Sequence, residues 1–276
     1  MNITAYRHSE DFWKDHQAVI LGHILEAELV YLNARNNIGA EQGFFGAAAQ
    51  DGQNTLLAIQ TSPYPMIFLA AGRKPRPLAE AMADYLITHG HVPAAFNGNL
   101  ASTAVMREAF DKNGIAYRAG RHLLQRKCVE LQDVPTLDLP LINANEVPYD
   151  FTGDYQCFLE ECHAAYDPNK LQPDIKTMLQ NNDLYVLLKD HAVVTMGRLQ
   201  RKIPHARAVG VIYTPPRYRG HGYSTCCTKQ LTRRIFADGY DYAYLYAEAD
   251  NPISNHVYEK LGYQKTNDFI EYHLQP

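Results

Sequence analysis

Val211-Ile212-Tyr213-Thr214-Pro215-Pro216-Arg217-Tyr218-Arg219-Gly220-His221-Gly222-Tyr223-Ser224 is the stretch from which this chain is best read. An apolar, β-branched run ends in two prolines. A turn with two glycines follows, and residues 224 to 238 have helical character. The order is strand, tight loop, helix N-terminus. The glycines let the backbone fold back so that successive N–H groups point into one hollow. The helix start adds unsatisfied donors and the positive end of its dipole. Such an assembly suits a diphosphate, and Arg217, Arg219 and His221 can add charge-assisted contacts. The spacing Arg-x-x-Gly-x-Gly, at Arg217, Gly220 and Gly222, is neither the dinucleotide fingerprint nor a Walker loop. Taken alone it would also serve as a surface turn.

With 276 residues the chain has room for two modest domains or one large one. Hydrophobic residues make up 46% and charged residues 20%, an ordinary globular balance. The net charge of −4 gives no basic field for nucleic acid or an anionic membrane. Five cysteines, Cys128, Cys157, Cys162, Cys226 and Cys227, show no Cys-x-x-Cys spacing, so no metal is expected. The opening Met1-Asn2-Ile3-Thr4-Ala5-Tyr6-Arg7 lacks the regions of a signal peptide, and no apolar run is long enough to span a bilayer. A cytoplasmic protein is expected.

Periodicity predicts a helix from Asp11 to Asn33, broken at Asn36-Asn37-Ile38-Gly39. A hairpin turns at Asp51-Gly52, and an apolar strand covers Tyr64 to Ala71. Pro77 opens a helix, Val92 to Phe96 reads as a strand, and Asn99 and Ser102 cap a helix that stops at Gly114. Residues 117–131 supply closing strands. Residues 133–150, with three prolines and little periodicity, read as a linker or crossover segment. Helices follow at 154–166 and 173–180, then strands at 183–189, 193–199 and 207–214. After the glycine loop and its helix come a strand at 240–247, a helix opened by Asn251 and Ser254 and stopped by Gly262, and a last strand at 268–274. The two halves repeat one order of elements, which predicts a duplicated fold: domains 1–132 and 151–276 joined by 133–150.

The second half carries a further signature, Asn251-Pro252-Ile253-Ser254-Asn255-His256-Val257-Tyr258-Glu259-Lys260-Leu261-Gly262-Tyr263. Together with the glycine loop some thirty residues upstream, it resembles the GNAT superfamily of N-acetyltransferases. The resemblance covers residues 154–274 and extends to the first half in fold alone. It implies an α/β protein of tandem GNAT-like domains, each with a mixed, splayed, mostly antiparallel sheet flanked by helices. It also implies acetyl-CoA as co-substrate and an amine acceptor, a small molecule or peptide, attacking directly. On this resemblance Ile212, Tyr213 and Thr214 lie along the pantetheine arm. Arg217, Arg219, Gly220, His221, Gly222, Tyr223, Ser224 and Thr225 surround the diphosphate, and Asn251 and Asn255 hold the pantetheine side. Tyr258 matches the general acid, and Glu248 stands where a base is needed. Glu160, Glu161 and His163 are lesser candidates for the base. An acyl-CoA sensor without turnover, or a longer acyl donor, remains an alternative.

In the first half the loop counterpart is Gly72-Arg73-Lys74-Pro75-Arg76-Pro77, where two prolines offer no N–H. The counterpart of Tyr258, counted back from the glycine stop, is Phe110, which has no proton to give. The first half is therefore expected to be retired from catalysis.

Overall fold

The computed structural model describes residues 2–37, 39 and 43–276, so Ile38 in the expected helix break lies outside the described residues. The chain divides into two compact units, Met1–Leu123 with Asn267–Pro276, and Leu124–Thr266.

The first unit contains β1 (Asn2–Tyr6), α1 (Ser9–Gly22), α2 (Glu28–Asn36), β2 (Phe44–Asp51), β3 (Asn54–Thr61), β4 (Met66–Ala71), α3 (Pro75–Thr88), β5 (Ala95–Asn99) and α4 (Leu100–Lys112). β6 (Tyr117–Cys128) begins in this unit and ends in the next. The second unit continues with β7 (Leu141–Asn143), α5 (Thr152–Glu161), α6 (Leu171–Gln180), β8 (Leu184–Lys189), β9 (Ala192–Ile203), β10 (Ala206–Tyr213), α7 (Tyr223–Ala237), β11 (Tyr242–Glu248) and α8 (Pro252–Lys260). β12 (Gln264–Leu274) begins there and returns to the first unit.

The duplicated order is present: strand, two helices, three strands, helix, strand, helix, strand, twice over. The strands of the first unit run β1-β2-β3-β4-β5-β12, and those of the second run β7-β8-β9-β10-β11-β6. Among the registers of the described residues, β4 with β5 and β10 with β11 are parallel, and the other pairs are antiparallel.

The division differs from the expected boundaries at 132/133 and 150/151. The sheet of each unit takes in the closing strand that follows the other half's last helix. β5 pairs with β12 in the register Phe269 opposite Asn99, and β11 lies beside β6. Local pattern cannot show this, because a strand's alternation does not name its neighbour. The segment 133–150 is held against α7 by side-chain bonds. Lys229 of α7, 3% exposed, bonds Asp133 and the carbonyl of Val134. Gln230 donates to the carbonyl of Leu139 and accepts from the N–H of Leu141, and Cys226 donates to the carbonyl of Leu137. Leu131, Val134, Leu139 and Leu141 pack on the core beneath α7. A segment without helical or strand periodicity can thus be fixed by the side chains of a neighbouring helix.

The expected first helix is two helices, α1 and α2, separated by a turn at 23–27. Gly22 weakens the helix there, and the turn brings Glu26 to the amide of Asn99 at 3.3 Å. β1 and β7, both short edge strands, carried no sequence signal strong enough to predict.

Each unit has a core on both faces of its sheet. In the second unit, α7 covers Leu199, Val209, Ala243, Leu245 and Ala247. On the opposite face, α5 and α6 cover Val186, Val193, Met196, Val211 and Tyr213.

Candidate functional site

The site begins with a fault in β10. Val211 has φ of 52°, a genuine outlier for a β-branched residue, of the kind that costs about 1–3 kcal/mol. Against β9, Gly210 faces Arg198 but Tyr213 already faces Met196, so β10 carries an extra residue. This bulge bends β10 away from β11. The parallel register joins only Ala206–Ala208 to Tyr242–Tyr244. Val209 to Tyr213 and Leu245 to Glu248 have no register partner on each other's strand, and the two strands splay.

The loop after β10 meets the opening. Gly220 and Gly222 have φ of 82° and 79°, and a Cβ on either would meet nothing within 4 Å. They are needed for conformation and not for space. Gly222 is the N-cap of α7, in the left-handed region. The N–H of Arg219 bonds the carbonyl of Pro216, and that of Cys226 bonds Gly222. Between them the N–H groups of Gly220, His221, Gly222, Tyr223, Ser224 and Thr225 bond no protein acceptor among the described residues. Six consecutive free donors at the start of a 15-residue helix make an anion cradle.

A cleft of about 360 Å³ is lined by Glu161, Ile212, Tyr213, Thr214, Tyr218, Arg219, Gly220, Gly222, Tyr223, Ser224, Asn251, Ile253, Ser254, Val257 and Tyr258. The structure thus gathers most of the expected residues from three separate stretches. Arg217, His221, Thr225, Asn255 and Glu248 are not among the lining residues. The Arg217 guanidinium lies over the Tyr218 ring at 4.7 Å, and the His221 ring is 5.9 Å from that of Tyr223.

Two strand-end carbonyls are already engaged. Thr195, fully buried, donates to the Tyr213 carbonyl at 2.8 Å and receives the Thr214 hydroxyl at 2.9 Å. Arg219 donates through Nε to the Thr214 carbonyl at 2.9 Å and through Nη2 to both oxygens of Glu161. Val211 and Ile212, inside the bulge, are the positions without a partner on β9. Burial and the neighbouring Cys157 thiol push the Tyr213 phenol up to about 12.

Asn251 caps α8, its Oδ1 accepting the N–H of Ser254 at 3.0 Å. Tyr258 lies two turns further on, with its ring edge-on to Tyr263. Its hydroxyl has no protein hydrogen bond among the described residues. Burial, then the thiols of Cys162 and Cys227, push its pKa well above the ordinary phenol value, while the charge of Arg126 pulls it down. The phenol therefore keeps its proton at neutral pH. Cys226 and Cys227 are fully buried within α7's core face, and burial raises the Cys227 thiol.

Glu248 ends β11. By alternation its side chain shares a face with Tyr244 and Tyr246, opposite Ala243, Leu245 and Ala247, which pack beneath α7. Its carbonyl accepts from the N–H of Asn251 at 3.2 Å and from Asn255 at 2.9 Å. Asn255 spends its amide on protein partners alone: Glu248, Asn251 and Arg126. Sequence reasoning missed Arg126, which lies before the expected linker. It also missed Tyr218, Ile253, Ser254 and Val257. Ser254 could have been found, since it falls four residues before Tyr258 on the same helix, and Val257 three residues after Ser254.

The equivalent region of the first unit is closed by its own side chains. β3 and β4 pair without a register shift. The N–H of Ala70 donates to the buried hydroxyl of Ser102 at 2.8 Å. The N–H groups of Arg73 and Lys74 both donate to Oδ1 of Asn54, at 2.9 and 3.1 Å. Phe110 is fully buried. A Cβ on Gly98 would sit 2.5 Å from the Phe68 carbonyl, so β4 and β5 approach closely where the second unit opens.

A bulged strand parting from a parallel neighbour, a glycine loop of free amides and an Asn-capped helix carrying a tyrosine define the GNAT fold, and this chain holds that fold in tandem. Residues 196–272 match the family model described as FR47-like protein. No curated protein is similar enough in sequence to match. Among solved structures, the chain is similar to a GNAT-family acetyltransferase from Colwellia psychrerythraea, with TM-score 0.64, 9% identity and all of both chains covered. A Drosophila protein gives TM-score 0.64 at 13% identity, covering 99% of this chain and 98% of that one. A tandem GNAT protein from the clavulanic acid biosynthesis pathway gives TM-score 0.55 at 11% identity, covering 98% of each. Among the described residues no helix is long and apolar enough to cross a membrane, and no group of three His, Cys, Asp or Glu is arranged to hold a metal.

Proposed function

We propose that the second unit is an acyl-CoA-dependent N-acyltransferase, moving an acetyl group from coenzyme A to a primary amine of a small molecule or peptide. The observation that carries this reading is the run of free N–H groups from Gly220 to Thr225, of which Gly220, Gly222, Tyr223 and Ser224 line the same cleft as Tyr258. The cradle fits the diphosphate of coenzyme A in charge and donor number. Ile212 and Asn251 supply the flanks along which a pantetheine arm would lie, bringing the thioester toward the phenol. The co-substrate supplies the activated acyl group.

The remaining chemistry belongs to the chain. Tyr258, held protonated, gives its proton to the departing thiolate. Glu248, on the sheet face away from α7, accepts the acceptor's proton directly or through water, so that the amine attacks uncharged. The free thiols fit a reducing compartment.

A non-catalytic acyl-CoA sensor is the second reading. One observation favours it: among the described residues the only carboxylate lining the cleft is Glu161, and Arg219 already pairs with it. A mass-spectrometric screen of amines incubated with acetyl-CoA tests the two. Acetylated product that disappears in Tyr258→Phe supports the enzyme. Coenzyme A binding without product from any amine supports the sensor, and neither binding nor product refutes both.

A further inference from the structure

We infer that Arg126, on β6, is a positioning residue for the site, setting the orientation of the Asn255 amide and through it the segment Glu248–Asn251, whose last residue lines the cleft. The inference rests on the reading of the second unit as a coenzyme A site.

A guanidinium whose side chain is 5% exposed is costly to bury, and its carboxylate partner Glu259 is 57% exposed, so the ion pair alone does not account for it. What Arg126 does besides is specific. Its Nε donates to Oδ1 of Asn255 at 3.0 Å. A guanidinium can only donate, so it compels the amide oxygen to face it. The amide nitrogen must then face the other way, where it donates to the carbonyls of Glu248 at 2.9 Å and Asn251 at 2.8 Å. A flipped amide would set its oxygen against those two carbonyls. Arg126 therefore decides one hydrogen-bond polarity, and that polarity ties the end of β11 to the first turn of α8. Asn251, so held, lines the cleft and caps the helix that carries Tyr258. A second branch reaches the same helix end: Nη1 of Arg126 approaches the Tyr263 carbonyl at 3.5 Å, and the N–H of Tyr263 bonds the Tyr258 carbonyl at 3.0 Å. The positive charge also lies close enough to ease ionisation of the Tyr258 phenol. None of this involves contact with the cleft, since Arg126 is not among its lining residues.

The test compares Arg126→Met, Arg126→Lys, Asn255→Ala and the Met/Ala double variant in the full chain. The measurements are coenzyme A binding by calorimetry, steady-state acetyl transfer and thermal melting. Methionine keeps most of the volume and leaves Glu259 in water, so the fold should survive. Arg126→Met should weaken coenzyme A binding about tenfold and lower kcat/KM about a hundredfold, as misplacement of a site by about 1 Å can. Lysine, still a donor, should restore most of both. In the double variant the methionine should add far less to the loss from Asn255→Ala than it costs alone, the remainder coming from the Tyr263 carbonyl contact and the lost charge. Wild-type binding and kcat/KM in Arg126→Met would overturn the inference, as would losses that multiply in the double variant. Wild-type protein that neither binds coenzyme A nor forms product would overturn the functional reading and this inference with it.

Discussion

Replacement of Gly222 separates the two reasons a glycine could stand at the start of α7. Its φ is 79°, and an added Cβ meets nothing within 4 Å. Alanine therefore brings no clash, only the left-handed penalty of about 1–2 kcal/mol. If the loop keeps its shape, Gly222→Ala lowers stability by that amount and leaves coenzyme A affinity unchanged. If the loop relaxes to escape the strain, the same energy appears as lost affinity, about 5- to 30-fold. Proline is different. Its ring fixes φ near −65°, a rotation that no local adjustment around 79° accommodates, and it deletes one of the six free N–H donors. Gly222→Pro should lower affinity at least a hundredfold, since it both misaims the cradle and removes a charge-assisted bond worth about 1.5–3 kcal/mol. The helix should persist, because proline is tolerated in its first turn. Calorimetry with coenzyme A, alongside circular dichroism, reads both quantities. Wild-type affinity in a folded Gly222→Pro protein would refute the assignment of residues 220–225 as the anion cradle.

Other expectations follow from the same geometry. Tyr258→Phe should cut kcat by about 10²- to 10⁴-fold with coenzyme A affinity unchanged, as loss of a general acid does; an unaltered kcat in steady-state assays removes the role. Calorimetry should give one coenzyme A per chain, because Asn54 and Ser102 occupy the corresponding donors of the first unit; two equivalent sites would show that those contacts yield to ligand. Gly197→Ala would bring a Cβ to 2.6 Å from Leu231, 2.7 Å from Ile212 and 2.9 Å from the Cys227 sulfur. It should cost about 1–3 kcal/mol by denaturant unfolding and, by displacing Ile212 into the cleft, raise KM for acetyl-CoA. Stability should also fall at both ends of the pH range. Burial and then Asp15 raise the Tyr6 phenol from 10.0 to about 12. Between those values the unfolded chain releases a proton that the folded chain keeps, so stability declines as pH rises. Burial lowers the His16 imidazole below 6.5, so stability is present above that value and declines as pH falls through it; unfolding curves in which His16→Phe leaves the acid decline unchanged would remove that cause.

Much of the site was legible in the chain because its parts are local. A strand running into Gly220 and Gly222 needs nothing distant to make a loop of free amides, and Asn251, Ser254 and Tyr258 take their spacing from one helix. That the first half departs from the second at the loop and at the tyrosine position was also legible, in Pro75, Pro77 and Phe110. The means of closure was not, because Asn54 reaches the N–H groups of Arg73 and Lys74 from another strand.

Periodicity and caps, preferences that act within a few residues, thus settled most of the order of elements, the duplication and the place of the loop, but not β1, β7 or the break between α1 and α2. Tertiary structure alone decided which strand closes which sheet, how 133–150 is held against α7, and that Arg126 stands behind the site. These depend on pairing and on the partners of buried polar groups, and such partners are chosen across distances along the chain over which no sequence period runs.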